Sequence, residues 1–271
     1  MSSWMQRLRS KCPPKRLFWA SIAISFCGMA ATSYGPIFNN PQTVIEQFVN
    51  ESFYQRYGIV LDDTGLDVAW GALCATNPLG AMFGSALIYR FCEHFGRKDT
   101  TLTINGLICT VAALLQFLAK DFEGGILEFL YLGRFVAGIG FGLAGADSIY
   151  LVESAPDAYR GFVGAMPNIA LTFWYTLACG LGHPYVLGNE HLWQYLMLWP
   201  AIPALLGILL ALFVPESPKY LYLAKNDSVR AKESLEYFFG EQANTKATMD
   251  EYDRERKYLM VCYGLPSPLL R

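Results

Sequence analysis

The sequence predicts an all-α integral membrane protein, built as a bundle of six transmembrane helices with short helices after it. The first observation is composition: 53% of the 271 residues are hydrophobic and 16% are charged, against roughly 25% charged in a typical soluble protein. The second is that six separate apolar stretches are each long enough to cross a bilayer, which takes about 20 helical residues. The third is that segments rich and poor in lysine and arginine alternate between these stretches.

Each predicted span is an apolar run that a helix can bury in lipid, because a helix satisfies its own backbone hydrogen bonds there. The first run is longer than the apolar core of a cleaved signal peptide, and five more runs follow it. We therefore expect it to stay in the protein. The six spans cover residues 17–38, 69–89, 101–119, 126–146, 162–182 and 192–214.

Lysine and arginine counts predict the direction of the spans. Five of these residues precede span 1, three lie in the turn between spans 2 and 3, and nine follow span 6, whereas the loops after spans 1 and 3 hold one each. Loops rich in lysine and arginine stay on the cytoplasmic side of a membrane. Both termini are therefore predicted to be cytoplasmic, with residues 1–16 as a tail, 17–214 as the bundle and 215–271 as a cytoplasmic helical segment.

The loop between spans 1 and 2 then faces the outside of the cell or a lumen. It holds the sequon Asn50-Glu51-Ser52, and Asn-X-Ser is the acceptor pattern for N-glycosylation. We therefore expect a glycoprotein that is modified at Asn50.

Small residues recur at close spacing in two of the spans. Gly80 and Gly84 lie in span 2, and Gly138, Gly142 and Gly145 lie in span 4. Small residues let helix backbones approach closely in lipid, so this pattern predicts tight packing of these spans.

Charged residues mark the cytoplasmic ends of the spans. The turn after span 2 reads EHFGRKD and contains Glu93 and Arg97, and Arg134 lies inside the apolar run of span 4. An ionisable group at membrane depth needs a partner, and we expect Glu153 to pair with Arg134 or with Arg97.

Two further charged residues lie on the same predicted side. Arg160 stands in the loop between spans 4 and 5, and Glu216 follows span 6 directly before Ser217 and Pro218. Serine is a favoured N-cap and proline a favoured first helical residue, so a short helix is predicted to begin here, with Glu216 free to bond a basic partner. Two amphipathic helices follow, with Leu235, Phe238 and Phe239 on one apolar face.

Other function classes lack their sequence patterns. The net charge of −2 does not favour a nucleic-acid partner. The seven cysteines are scattered without CxxC pairs, and the chain contains neither HExxH nor GxSxG. The sequence therefore predicts no enzyme, no cofactor and no metal site.

Four motifs together resemble the sugar porter branch of the major facilitator superfamily. They are GRK after span 2, GRFVAGIGFG in span 4, ESAPDAYRG after span 4 and PESPKYLY after span 6. The segment NNPQTVIEQFVNES, residues 39–52, is also similar to the first outer loop of the animal facilitative hexose transporters. The resemblance runs from about residue 17 to about residue 257, and it covers only the N-terminal half of a twelve-span fold, so the C-terminus is expected to be truncated.

The resemblance implies facilitative transport of hexose-type sugars by alternating access between two six-helix bundles. The family's glutamine that hydrogen-bonds the sugar falls at Asn168, and Leu171 and Tyr175 follow at helical spacing and should line the same face. The family's cytoplasmic salt bridges, which act as a gate, map onto Glu93, Arg97, Arg134, Glu153, Arg160 and Glu216.

Two alternatives stay open. Facilitated diffusion is favoured over proton coupling because the apolar stretches of spans 1, 4 and 5 offer no inward carboxylate. The alternative to transport is that the chain is a truncated, non-transporting membrane protein that associates with or regulates full-length transporters. Its predicted partners are a sugar, the lipid bilayer (the plasma membrane above all) and a second six-helix bundle, from its own dimer or from a full-length transporter.

Overall fold

A computed structural model describes residues 13–121, 126–240 and 245–263, and no strand occurs in these ranges. Six of its helical segments are long and apolar enough to cross a membrane, as predicted. Most of the predicted tail, residues 1–12, lies outside the described residues. Spans 1 to 6 are Lys15–Asn39, Asp63–Phe95, Asp99–Lys120, Leu127–Glu153, Asp157–Leu181 and Trp193–Leu210.

Several spans change helix type along their length. Span 1 is α-helical over Lys15–Gly28, continues as a 3₁₀ turn and becomes α-helical again. Span 3 begins with a π-helical turn, Asp99–Ile104, and span 4 is interrupted at Ala144. Span 6 breaks near Pro200, which cannot donate a backbone hydrogen bond. Irregular backbone at membrane depth is tolerated where neighbouring helices satisfy it.

Spans 2 and 4 pack with their backbones in contact. A Cβ atom added to Gly80 or Gly84 would overlap a carbonyl oxygen of span 4, and one added to Gly138 or Gly142 would overlap a carbonyl oxygen of span 2. Gly145 is less crowded, because its nearest neighbour is the flexible side chain of Ile88. The predicted tight packing is confirmed at four of the five glycines.

The two ends of the bundle carry different additions. The loop end, where span 1 ends and span 2 begins, carries the loop helix Gln42–Tyr57, which Gly58 closes in the left-handed conformation. The terminal end is the opposite one, where span 1 begins. The terminal end carries three tail helices, Pro218–Leu223, Ser228–Phe239 and Thr245–Tyr263.

The tail helices are fixed to the bundle by the predicted cap and the predicted apolar face. The hydroxyl of Ser217 accepts a hydrogen bond from the Tyr220 amide, with Pro218 at the first position of the helix. Phe238 is fully buried, and its ring contacts the ring of Tyr150 in span 4 edge-on at 6.3 Å. Leu235 is fully buried beside the third tail helix, and Phe239 is half-buried.

The lateral surface of the bundle has two kinds of face. On spans 3 and 6 the exposed residues are all apolar or aromatic, as a surface in contact with lipid requires. The exposed surfaces of spans 2, 4 and 5 mix apolar residues with polar ones, which include Ser85, Ser148, Asn168, Thr172 and Thr176. We call this second surface the mixed face.

The helix of span 4 continues past its predicted end at residue 146 and brings a carboxylate into the interior that the sequence did not predict. Asp147 lies in span 4 with 0% of its surface exposed, and neither carboxylate oxygen has a hydrogen-bond partner among the described residues. Span 4 therefore does carry an inward carboxylate. The sequence GADSIY gives no hint of its direction, because Asp147 is buried while the adjacent Ser148 is exposed.

Candidate functional site

A stripe of polar side chains runs along the exposed side of span 5. Asn168, Thr172 and Thr176 are four residues apart, which places them above one another on one helix face. The Thr172 hydroxyl donates to the Asn168 carbonyl oxygen at 2.9 Å, and the Thr176 hydroxyl donates to the Thr172 carbonyl oxygen at 2.9 Å. Each hydroxyl oxygen keeps lone pairs that can accept a bond from a ligand, and the Asn168 amide can both donate and accept.

The other residues predicted to contact sugar divide between two environments. Tyr175 is 49% exposed on the mixed face, whereas Leu171 is half-buried at its edge. Trp174, an aromatic neighbour, is buried and donates its indole N–H to the Phe26 carbonyl oxygen at 2.7 Å, so it packs inside the bundle. Thr172 and Thr176 were missed in the sequence, although their spacing of four and eight residues from Asn168 was visible.

At the terminal end, one ion pair joins the turn after span 2 to the end of span 4. The Arg97 Nε donates to Glu153 Oε2 at 3.1 Å, and both side chains are mostly buried. The same oxygen accepts the Ser217 hydroxyl at 2.6 Å, which ties in the first tail helix. The guanidinium also lies 4.8 Å from the ring centre of Tyr220. The predicted pairing of Arg97 with Glu153 is confirmed.

Glu216 binds a different kind of partner from the one predicted. Its Oε1 accepts backbone N–H bonds from Lys98 at 2.9 Å and from Ser217 at 2.7 Å. Gly96 makes this approach possible, since it has a φ of +101° and its Cβ would overlap the carboxylate. Burial raises the pKa of Glu216 above its usual value, and the two N–H bonds oppose that rise.

Glu93 and Arg160 lie at the same end without joining two spans by an ion pair. The Glu93 carbonyl oxygen accepts the Tyr220 hydroxyl at 3.1 Å. The Arg160 Nη1 pairs with Asp157 three residues earlier at 2.6 Å, and 43% of its side chain is exposed. Arg160 therefore makes a local surface pair, whereas Glu93 holds the first tail helix through its backbone.

Arg134 lies at the other end of the membrane from the position expected. It follows the start of span 4 by two turns, which puts it about 28 Å along the helix from Glu153. Its guanidinium donates to the Tyr34 carbonyl oxygen at 3.1 Å and lies 4.0 Å from the centre of the Phe38 ring. The predicted pairing of Arg134 with Glu153 is wrong, because the GRF motif lies at the loop end of span 4 and not at its terminal end.

The sequon lies in the loop helix. The Asn50 side-chain oxygen accepts the Leu61 N–H at 2.9 Å, and Ser52 is 5% exposed. The amide nitrogen of Asn50, which would carry a glycan, is not engaged by this bond.

Comparison with known proteins assigns the family. The pattern of the family described as "Sugar (and other) transporter" matches residues 20–261. The chain is 31% identical over 242 residues to the Solute carrier family 2 facilitated glucose transporter member 9 of Pongo abelii, covering 89% of this chain and 42% of the relative. It is 31% identical over 227 residues to member 1 of that family from Gallus gallus, covering 83% of this chain and 45% of the relative.

The fold agrees with this assignment. The structure of the major facilitator proton:xylose symporter XylE from E. coli matches with a TM-score of 0.78 and 20% identity, over 92% of this chain and 55% of that protein. The six-helix bundle thus has the fold of one half of a major facilitator protein. The chain spans about half the length of the proteins it matches. It belongs to the sugar (and other) transporter family.

Proposed function

We propose that this chain is the N-terminal bundle of a facilitative carrier for hexose-type sugars, which works by alternating access. The observation that carries the proposal is the polar stripe of Asn168, Thr172 and Thr176 on the mixed face. An exposed side-chain amide in the middle of a spanning helix is unfavourable against lipid. The threonine hydroxyls, whose donors are satisfied within the helix, add hydrogen-bond acceptors beside it. Both kinds of group are favourable against a water-filled path or a polar ligand.

Sugar hydroxyl groups both donate and accept hydrogen bonds, and the stripe offers both kinds of partner. The Asn168 amide supplies a donor and an acceptor, and the threonine hydroxyls supply acceptor lone pairs. Tyr175, which is 49% exposed beside them, offers a ring for the apolar face of a sugar. Leu171 lies half-buried at the edge of the mixed face, where it would contact an apolar part of the sugar. Both relatives are named as facilitated glucose transporters, which agrees with this substrate class.

A second six-helix bundle would cover the mixed face and complete the path. It would come from a second copy of this chain or from a full-length transporter. The terminal end, where Arg97, Glu153 and Glu216 join three segments, is the proposed cytoplasmic gate, and Glu93 and Arg160 flank it. Because lysine and arginine are concentrated at the terminal end, we place both termini in the cytoplasm. The loop helix, with Asn50 glycosylated, then lies outside the plasma membrane.

The test is uptake of radiolabelled glucose and fructose by transport-deficient cells that express the chain, with surface labelling to confirm delivery. We expect saturable uptake that Asn168→Ala abolishes. Leu206→Ala, on the apolar face of span 6, is the matched control and should transport normally. Protein at the surface without uptake would overturn transport by this chain alone.

That negative result would favour the second candidate, a non-transporting partner of full-length carriers. The uncovered polar surface of spans 2, 4 and 5 is the observation that favours it. Co-expression with a full-length carrier separates the two, because a partner would change the carrier's uptake and Thr172→Leu on the mixed face would remove that effect.

A further inference from the structure

The carboxyl group of Asp147 is enclosed where spans 1, 3 and 4 meet. Its exposure is 0%, and both oxygens lack a hydrogen-bond partner among the described residues. It lies six residues before Glu153, about 9 Å along the helix axis from the terminal end. An ionised carboxylate that is buried without a partner is strongly unfavourable and takes up a proton instead.

The backbone is irregular in each of the three spans at this level. The first α-helix of span 1 ends at Gly28, the π-helical turn of span 3 contains Thr101, and span 4 is interrupted at Ala144. A Cβ on Gly28 would meet Thr101 Cγ2 at 2.9 Å and Asp147 Cγ at 3.3 Å. Asp147 therefore lies at a level where all three spans depart from regular α-helix.

The surroundings of Asp147 are polar but tightly packed. The hydroxyl oxygens of Ser25 in span 1 and Thr101 in span 3 are also buried without a hydrogen-bond partner within the part of the chain that the structure describes. The distances around Gly28 leave no space for a methyl group. A proton fits such a site, and no cluster of three or more metal-ligating side chains occurs among the described residues.

The ionisable groups that interact with Asp147 from spans 1 and 4 are a thiol and a phenol, not side chains with a formal charge. Span 1 contributes the Cys27 thiol and its own helix contributes the Tyr150 hydroxyl, which donates to the Pro215 carbonyl. On either side of Asp147 in the chain, Gly145 lies beside the apolar side chain of Ile88 in span 2, and Val152 lies beside Gly164 in span 5. The Asp147 N–H donates to the Ala144 carbonyl oxygen at 3.1 Å. This backbone N–H is therefore already engaged within span 4.

We propose that Asp147 is a proton-binding site that links the packing of spans 1, 3 and 4 to pH. The carboxyl group carries a proton while the three spans are packed, and loss of that proton to water opens the junction at Gly28. Only an O–H bond forms or breaks, so the step needs no other reactant. The proposal does not require the proton to move with sugar, and it is tested without sugar.

The direct test is infrared spectroscopy of the full chain in lipid at about pH 7, where an exposed carboxyl group is ionised. The difference between the spectra of the wild type and Asp147→Asn should show the C=O stretch of a protonated carboxylic acid. Asp67→Asn, which changes an exposed aspartate of span 2, should show no such difference. A spectrum of ionised carboxylate at Asp147 would overturn the proposal.

The second test is the melting temperature in detergent between about pH 6 and about pH 9. A group that is protonated in the folded state and ionised in the unfolded state stabilises the fold at low pH, and this stability is lost as pH rises. We expect the melting temperature of the wild type to fall by several degrees more than that of Asp147→Asn, with Asp67→Asn following the wild type.

Neutral replacements must also fold if the neutral form is the packed one. Asp147→Thr provides a second neutral variant of similar volume, and it should show the same reduced pH dependence as Asp147→Asn. Failure of both variants to fold would mean that the charge is required and would overturn the proposal. So would a pH dependence equal to that of the wild type, or a melting temperature of the wild type that depends on sodium.

Discussion

Replacing Glu153 by alanine should destabilise the terminal end more than any other single charge removal there. Glu153 Oε2 accepts the Ser217 hydroxyl at 2.6 Å and the Arg97 Nε at 3.1 Å, with its side chain 15% exposed. A hydrogen bond to a charged group contributes about 1.5–3 kcal/mol. Removing one partner of an exposed ion pair costs about 0–1 kcal/mol of stability, and removing one partner of a buried pair costs about 3–5 kcal/mol. The pair of Arg97 with Glu153 is mostly buried, so its loss should cost an amount between these two ranges.

Arg97 keeps two other partners in this variant, the Cys92 carbonyl at 3.2 Å and the Tyr220 ring, which limits the loss. We therefore expect a total of about 3 kcal/mol for Glu153→Ala, or about 6–12 °C in melting temperature for a chain of this size. Glu153→Gln retains an acceptor for Ser217 and should lose about half as much. The assay is thermal unfolding of the full chain in detergent.

A double-mutant cycle of Arg97→Ala with Glu153→Ala should show coupling of about 1–2 kcal/mol. Glu128→Ala is the matched control, because its ion pair with Arg56 is exposed at the loop end; it should leave the melting temperature nearly unchanged. A loss of less than about 1 kcal/mol for Glu153→Ala, or no coupling with Arg97, would refute the reasoning.

Three further predictions follow from single contacts. Gly138→Ala should lower the free energy of unfolding by at least about 2 kcal/mol, because its Cβ would overlap the Asn77 carbonyl oxygen. Gly180→Ala is the control, because open space surrounds Gly180, and it should leave the stability unchanged. Equal melting temperatures of the two variants would contradict the close packing of spans 2 and 4. Because burial raises the pKa of Glu216, the wild type should lose stability relative to Glu216→Gln as pH rises from about 4.3 upward; parallel melting curves over pH would argue against it. A glycosidase should increase the electrophoretic mobility of the wild type and not that of Ser52→Ala, which keeps the Asn50 bond to Leu61; no shift in either would mean that Asn50 is unmodified.

The sequence predicts the fold well because the requirements of lipid are simple. A helix must be long and apolar to cross, so all six spans could be located, and glycines such as Gly80 and Gly138 could be assigned to close packing. The cap at Ser217 and the burial of Phe238 depend on local spacing and were also predictable. Helix ends were less so, because spans 2 and 4 continue for one to two turns beyond their apolar runs.

The sites were harder to predict because they depend on depth and rotation. Arg134 was expected at the cytoplasmic end of span 4, but it lies at the loop end and bonds the Tyr34 carbonyl oxygen of span 1. An arginine within an apolar run does not reveal its depth in the membrane or the helix that it contacts. Asp147 was overlooked as an inward carboxylate because its burial depends on the break at Ala144. Glu216 was expected to meet a basic side chain, but it meets backbone N–H groups that Gly96 exposes. Such contacts require three-dimensional placement.

The central claim is that the mixed face lines a water-filled sugar path. It is tested most directly by thiol labelling of Thr172→Cys and Leu206→Cys, each in a chain in which the exposed Cys179 is replaced by serine. A membrane-impermeant reagent should label the cysteine at position 172, D-glucose but not L-glucose should slow that labelling, and the cysteine at 206 should remain unlabelled. Equal labelling at both positions, or no labelling at position 172, would contradict the account.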